Sequence, residues 1–119
     1  MKKFRFRQFP VYQDSLRFRR AIKDLVKTKF PKDEQFVLAP QILRATDSII
    51  LNIAEGSDRK TDKDFAHFLN LSLTSLNEVV ACFDLALSDQ YITSEEHSEL
   101  LLKAEAVANQ LTAFRKSII

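Results

Sequence analysis

The sequence predicts an all-α fold, an antiparallel up-and-down four-helix bundle, from three observations. One glycine and three prolines in 119 residues leave too few turn formers for a sandwich or barrel of many short strands. Apolar residues recur at spacings of three and four along four long segments. The breaks between those segments are short, which makes consecutive helices antiparallel neighbours. A chain of this length holds one core. It divides into a basic and aromatic arm at residues 1–11 and a bundle domain at residues 12–119.

In the arm, Lys3-Phe4-Arg5-Phe6-Arg7 alternates cations with aromatic rings. Pro10 disfavours helix for the residue before it, so the first helix is expected from about Tyr12 to Lys29. Leu16, Phe18, Ile22, Leu25 and Val26 give that helix an apolar side. Arg17, Arg20, Lys23 and Lys27 recur at spacings of three and four and share its outer face, with Arg19 alongside. Phe30-Pro31-Lys32-Asp33-Glu34 breaks the pattern.

The second helix starts near Pro40 and runs to about Glu55, with Gly56 placed where a left-handed C-terminal cap is expected. Ile42, Ala45, Ile49 and Ile53 form one apolar stripe; Leu43, Ile50 and Ala54 form a second. A polar line of Arg44, Ser48, Asn52 and Glu55 separates them. A single bundle's core covers one stripe, so the other predicts a homo-oligomer.

Thr61-Asp62-Lys63-Asp64 resembles a capping box and opens a third helix to Ser88, roughly 40 Å long. Its broad apolar face carries Phe65, Phe68, Leu69, Leu76, Val80, Phe83 and Leu87. Thr93-Ser94-Glu95-Glu96 is a full capping box for the last helix, which runs to about Lys116. Leu100, Leu101, Ala104, Val107, Ala108, Leu111 and Phe114 form its inner side.

Several function classes are disfavoured. No uninterrupted apolar run approaches the roughly 18 residues of a membrane span, and no apolar stretch follows the basic N-terminus as in a signal peptide. The lone Cys82 precludes an internal disulfide and fits a reducing cytoplasm, where a small buried hydrophobe is its expected role. His67 and His97 lie on different helices without partners at metal-ligand spacing, so no metal site and no other cofactor is expected. One glycine cannot build a phosphate-binding loop.

Catalysis is not expected either. Asn52 and Glu55 sit three apart on one helix, and Ser75 and Glu78 three apart on the next. Counted from the turn between them, the two glutamates should lie roughly 20 Å apart along the bundle. These side chains are expected to satisfy backbone ends, pair with Arg44 or Arg59, or line a subunit contact.

The net charge of +2 conceals a strong asymmetry. Residues 1–30 carry ten basic and two acidic side chains, whereas the remainder carries eight basic and fourteen acidic ones. Lys3, Arg5, Arg7, Arg17, Arg19, Arg20, Lys23 and Lys27 therefore form the candidate surface for RNA or DNA. Cations would meet phosphates while bases stack on Phe4 and Phe6.

Phe30 to Glu78 carries an ordered pattern: Phe-Pro-Lys-x-Glu, Gln-Ile-Leu-Arg-Ala, Ser-Ile-x-x-Asn-Ile-Ala-Glu-Gly, Arg-Lys and Ser-Leu-x-Glu. The turn Asp89-Gln90-Tyr91-Ile92-Thr93 adds to it. In these stretches the chain resembles the bacterial four-helix bundle proteins encoded in intervening sequences of 23S ribosomal RNA genes. That family is similar in turn to the accessory protein of diversity-generating retroelements. The resemblance implies an up-and-down bundle that assembles as a ring, a homopentamer, without enzymatic activity. It also implies, by way of the retroelement relatives, a nucleic-acid-binding surface and a reverse transcriptase as a possible partner. Arg44, Ser48, Asn52, Glu55, Gly56, Ser75 and Glu78 match the motif, to which the resemblance assigns no catalytic role.

Overall fold

The computed structural model describes residues 3–119; Met1 and Lys2, which belong to the basic N-terminus, lie outside the described residues. A 3₁₀ turn at Arg5–Gln8 precedes four helices: α1 (Pro10–Lys29), α2 (Leu38–Gly56), α3 (Asp62–Ser88) and α4 (Ser94–Ile118). A second 3₁₀ turn, Lys32–Glu34, lies between α1 and α2. No strand occurs among the described residues.

One core joins all four helices. Ile22 of α1, Ile42, Ile49 and Ile53 of α2, Leu69, Val79 and Phe83 of α3, and Leu111 of α4 are completely buried. The contacts place α2 and α4 on either side of α3, and α1 against both α2 and α4. At one end Phe65 in the first turn of α3 meets Phe114 near the end of α4, ring centroids 5.2 Å apart. Near the other end of α3, Asp84 meets His97 in the first turn of α4 at 2.8 Å. Likewise Asp14 pairs with Gln110 at 2.8 Å and Lys29 with Glu96 at 2.8 Å. The long axis of the molecule is 46 Å, set by the 27 residues of α3.

α3 and α4 begin at the expected threonines. Thr61 accepts the Asp64 amide, and Thr93 accepts the Glu96 amide while Glu96 accepts the Thr93 amide in a complete capping box. α1 starts at Pro10 itself, two residues earlier than expected. Phe9 stays extended, as the proline requires, but the fixed φ of Pro10 suits the first helical position. α2 starts at Leu38, with Pro40 in the first turn where no amide bond is lost.

Gly56 is a correction. No glycine has positive φ, and Gly56 is the last residue of α2, followed by Ser57 at φ −64°. Its missing side chain answers a packing need. A Cβ there would lie 2.6 Å from Cβ of Phe68 and 2.9 Å from Cδ1 of Phe65. The helix that closes on a left-handed residue is instead α3, at Gln90 with φ 65°. Tyr91 N–H donates to the Ala86 carbonyl at 2.9 Å and Gln90 N–H to Leu87 at 3.0 Å, the paired bonds of a Schellman cap.

Two apolar assignments also change. Leu16 is partly exposed, and Val11 and Ser15 take up the inner side of α1 that it was expected to share. In α2, Ile50 of the second stripe is buried and Leu43 packs partly against the core, so the chain's own fold covers much of both stripes. Leu51 remains 64% exposed. By length and composition α3 could cross a membrane, although here its apolar side is spent on α2 and α4.

Candidate nucleic-acid interface

α1 carries the charge. Its inward side is set by Val11, Phe18, Ile22 and Leu25, which forces the residues between them outward. Arg17, Arg20, Lys23 and Lys27 are all exposed, and Arg17 is paired with Asp14 one turn back. From Arg17 to Lys27 the helix rises about 15 Å. That length spans about four phosphates of a single DNA strand. Lys3 and Arg7 are exposed on the segment before α1, where Gln13 donates to the Arg7 carbonyl at 3.1 Å.

Two of the eight basic residues are occupied elsewhere. Arg19 Nε lies 2.6 Å from Asp47 Oδ1 and ties α1 to α2. Arg5 turns inward, its Nε and Nη2 donating to the Ser57 carbonyl at 3.1 and 2.9 Å. Its guanidinium carbon lies 5.5 Å from the Phe9 ring and 5.4 Å from that of Phe65. Arg5 thus pins the N-terminal turn onto the α2–α3 corner. Neither anchor was visible from spacing, since Asp47 and a backbone carbonyl carry no sequence motif.

The polar motif of α2 and α3 divides in two. Ser48 Oγ lies 2.8 Å from Ser75 Oγ, and Asn52 Nδ2 donates to the Ser48 carbonyl at 2.8 Å and its hydroxyl at 3.1 Å. Ser72, which the pattern did not single out, is fully buried and donates to the Ile49 carbonyl at 2.8 Å. These small side chains form a seam where α2 and α3 meet, and a fully satisfied seam fixes register. Glu55 points outward and faces Arg59 at 3.9 Å, whereas Glu78 and Arg44 are exposed on the surface.

The titratable groups report structure. Burial pushes the Cys82 thiol up to about 11, with the nearby Glu78 carboxylate adding to it, so little thiolate exists near neutrality. Tyr91 donates to Glu34 Oε2 at 2.6 Å, and that bond pushes the phenol up to about 12. Glu96 is held below the usual carboxylate range by Lys29 and the Thr93 amide. Among the described residues no group of three His, Cys, Asp or Glu side chains converges as a metal site would require.

Fold and surface together define a small four-helix protein with its positive charge gathered on the outer side of the first helix. The chain belongs to the 23S rRNA-intervening sequence protein family, whose profile matches residues 7–113. Among solved structures it is similar to a Bacteroides thetaiotaomicron protein of unknown function from the S23 ribosomal protein family. The two share 30% identity at a TM-score of 0.79, over 89% of this chain and 98% of that one. No curated protein matches the chain.

Proposed function

We propose that the chain is a non-enzymatic, oligomeric bundle protein that binds nucleic acid through its basic N-terminal face. The observation that carries the reading is the exposed row of Arg17, Arg20, Lys23 and Lys27 on one helix. The end-to-end pairings of α3 with α4 and of α1 with α4 support an antiparallel up-and-down arrangement. The family resemblance supports a ring, with five copies as the expected size, and the lone cysteine, Cys82, fits a cytoplasmic setting. Leu16 and Leu51, exposed on either side of the α1–α2 groove, are the surface such an assembly would use.

Binding of a structured RNA across a salt series tests the nucleic-acid role. Four cations each meeting a phosphate would give a slope of roughly −3.6 in log K against log[salt]. Reversing Arg17, Arg20, Lys23 and Lys27 to Glu should abolish binding; unchanged affinity would end the proposal. Light scattering at micromolar concentration tests the assembly, and a monomer mass would refute it.

A second reading is a protein-interaction scaffold, such as a reverse-transcriptase accessory protein without nucleic-acid specificity of its own. Phe36, 84% exposed, and Val37, 65% exposed, favour it as a potential partner contact in the α1–α2 connection. Capture of a defined reverse transcriptase, with no nucleic acid bound at low salt, would decide for it.

A further inference from the structure

The N-terminal turn and the α2–α3 corner enclose an open cleft that the basic face of α1 does not include. It measures about 690 Å³, within the range of small-molecule sites, and is bounded by Lys3–Phe6 on one side and by Ala54, Glu55 and Ser57–Arg59 on the other. Arg5 forms part of its wall, committed to the Ser57 carbonyl, and so holds the two sides together. The side chains around the rest are of three kinds. Phe4 and Phe6 offer aromatic surface, Lys3 and Arg59 offer positive charge, and Glu55 and Asp58 offer carboxylates.

Phe4 is the unusual member. Its backbone is left-handed, at φ 60° and ψ 38°, a conformation in which a bulky residue is an outlier. The strain is not offset by burial, since Phe4 is 67% exposed, its ring edge-on to Phe6 with centroids 6.5 Å apart. A strained backbone that holds an aromatic ring in solvent beside a cleft points to a ligand, since strain of this kind gathers at binding sites. Arg59 is itself fixed, 4.8 Å above the Phe68 ring, 3.2 Å from Asp64 and 3.9 Å from Glu55, so its guanidinium sits between two carboxylates at a defined position.

We propose that this cleft takes one unpaired nucleotide of a bound strand. The base stacks on Phe4, its exocyclic amino group donates to Glu55 or Asp58, and its phosphate lies beside Lys3 and Arg59. Unpaired bases are read in this way, by stacking on aromatic rings and by hydrogen bonds to their edges. The carboxylates accept but do not donate, which favours a base with an exocyclic amino group over uracil, whose one donor is the ring N3–H. The inference rests on the nucleic-acid reading above and adds a preference for single-stranded or looped segments over duplex.

The test uses fluorescence anisotropy with labelled adenosine, cytidine and uridine dodecamers, as ribo- and deoxyribo-series, beside a blunt duplex. The informative variant is Phe4→Asn, because asparagine tolerates the left-handed backbone and the exposed ring contributes little to the core. Its thermal midpoint should equal or exceed that of the parent chain. Its affinity for adenosine and cytidine dodecamers should fall about tenfold, with duplex affinity unchanged. The ribo- and deoxyribo-series identify which polymer supplies the nucleotide. If Phe4→Asn binds single strands as tightly as the parent while duplex still binds, the cleft is overturned and the basic face stands. If uridine dodecamers bind as well as the others, the role given to the carboxylates is overturned. If the parent chain binds neither strand nor duplex, both readings fall.

Discussion

Replacing the only glycine with alanine, usually a stabilising change inside a helix, should here destabilise the protein. Gly56 has ordinary helical geometry, so the substitution gains helix propensity, at most about 1 kcal/mol and less at the last position of α2. Against this stands the 2.6 Å approach of the new methyl to Cβ of Phe68. That atom is one bond from the α3 backbone and cannot swing aside. The Phe65 ring, 2.9 Å away, is held between Phe9 and Phe114 and is 2% exposed. The helices must therefore separate, and overpacking of this kind costs about 1–3 kcal/mol. The expected net loss is about 1–2 kcal/mol, which for a chain of this size lowers the thermal midpoint by about 4–8 °C. Circular dichroism melts, with urea titration as a second measure, read the change. The Phe68→Gly background isolates its cause, since removing that Cβ should make Gly56→Ala much less harmful. A Gly56→Ala midpoint at or above that of the parent would refute the close-approach argument.

The cap of α3 gives the opposite expectation. Gln90→Gly relieves a left-handed non-glycine residue and should stabilise by roughly 0.5 kcal/mol once the greater freedom of the unfolded chain is subtracted; a lowered midpoint would count against it. Thr93→Ala removes the hydroxyl that caps α4 and should cost about 1 kcal/mol, read as a drop in urea midpoint. Stability should also depend on pH at two edges. The Tyr91 phenol is raised from 10.0 to about 12, so the folded state holds its proton longer and the contribution is lost as pH climbs from about 10 through 12. Tyr91→Phe should flatten that limb. Glu96 is lowered from 4.5, so its contribution is complete above that pH and disappears as pH falls below it. Glu96→Gln should remove that part of the acid sensitivity in melts between pH 2 and 6.

What the sequence made legible was local. Thr61 and Thr93 announce α3 and α4 because a capping hydroxyl acts within three residues, and apolar spacing identifies Ile22, Ile49, Leu69 and Leu111 without reference to neighbours. What it hid depends on how helices meet. Gly56 serves packing rather than a left-handed cap because the approach of Phe68 decides where a side chain is forbidden, and no local rule carries that distance. The Ser48–Ser75 contact needs the register of α2 on α3. Of the eight basic residues, Arg5 and Arg19 left the exposed set because a carbonyl and Asp47, distant in sequence, claimed them. The cleft has the same origin, since its two walls are about fifty residues apart along the chain.

Arg5 and Tyr91 also bear on the order in which the molecule assembles. The Arg5–Ser57 bond closes 52 residues and the Tyr91–Glu34 bond closes 57, whereas the seam of α2 and α3 closes only 23 to 27. Loop-closure entropy rises with separation, so the α2–α3 hairpin should nucleate and the N-terminal turn dock last. Pulsed hydrogen exchange would show α2 and α3 amides protected before those of Arg5–Gln8. The nucleotide cleft would then be the final part of the protein to form and the first to open, a pocket whose existence reports that the rest of the chain has already folded.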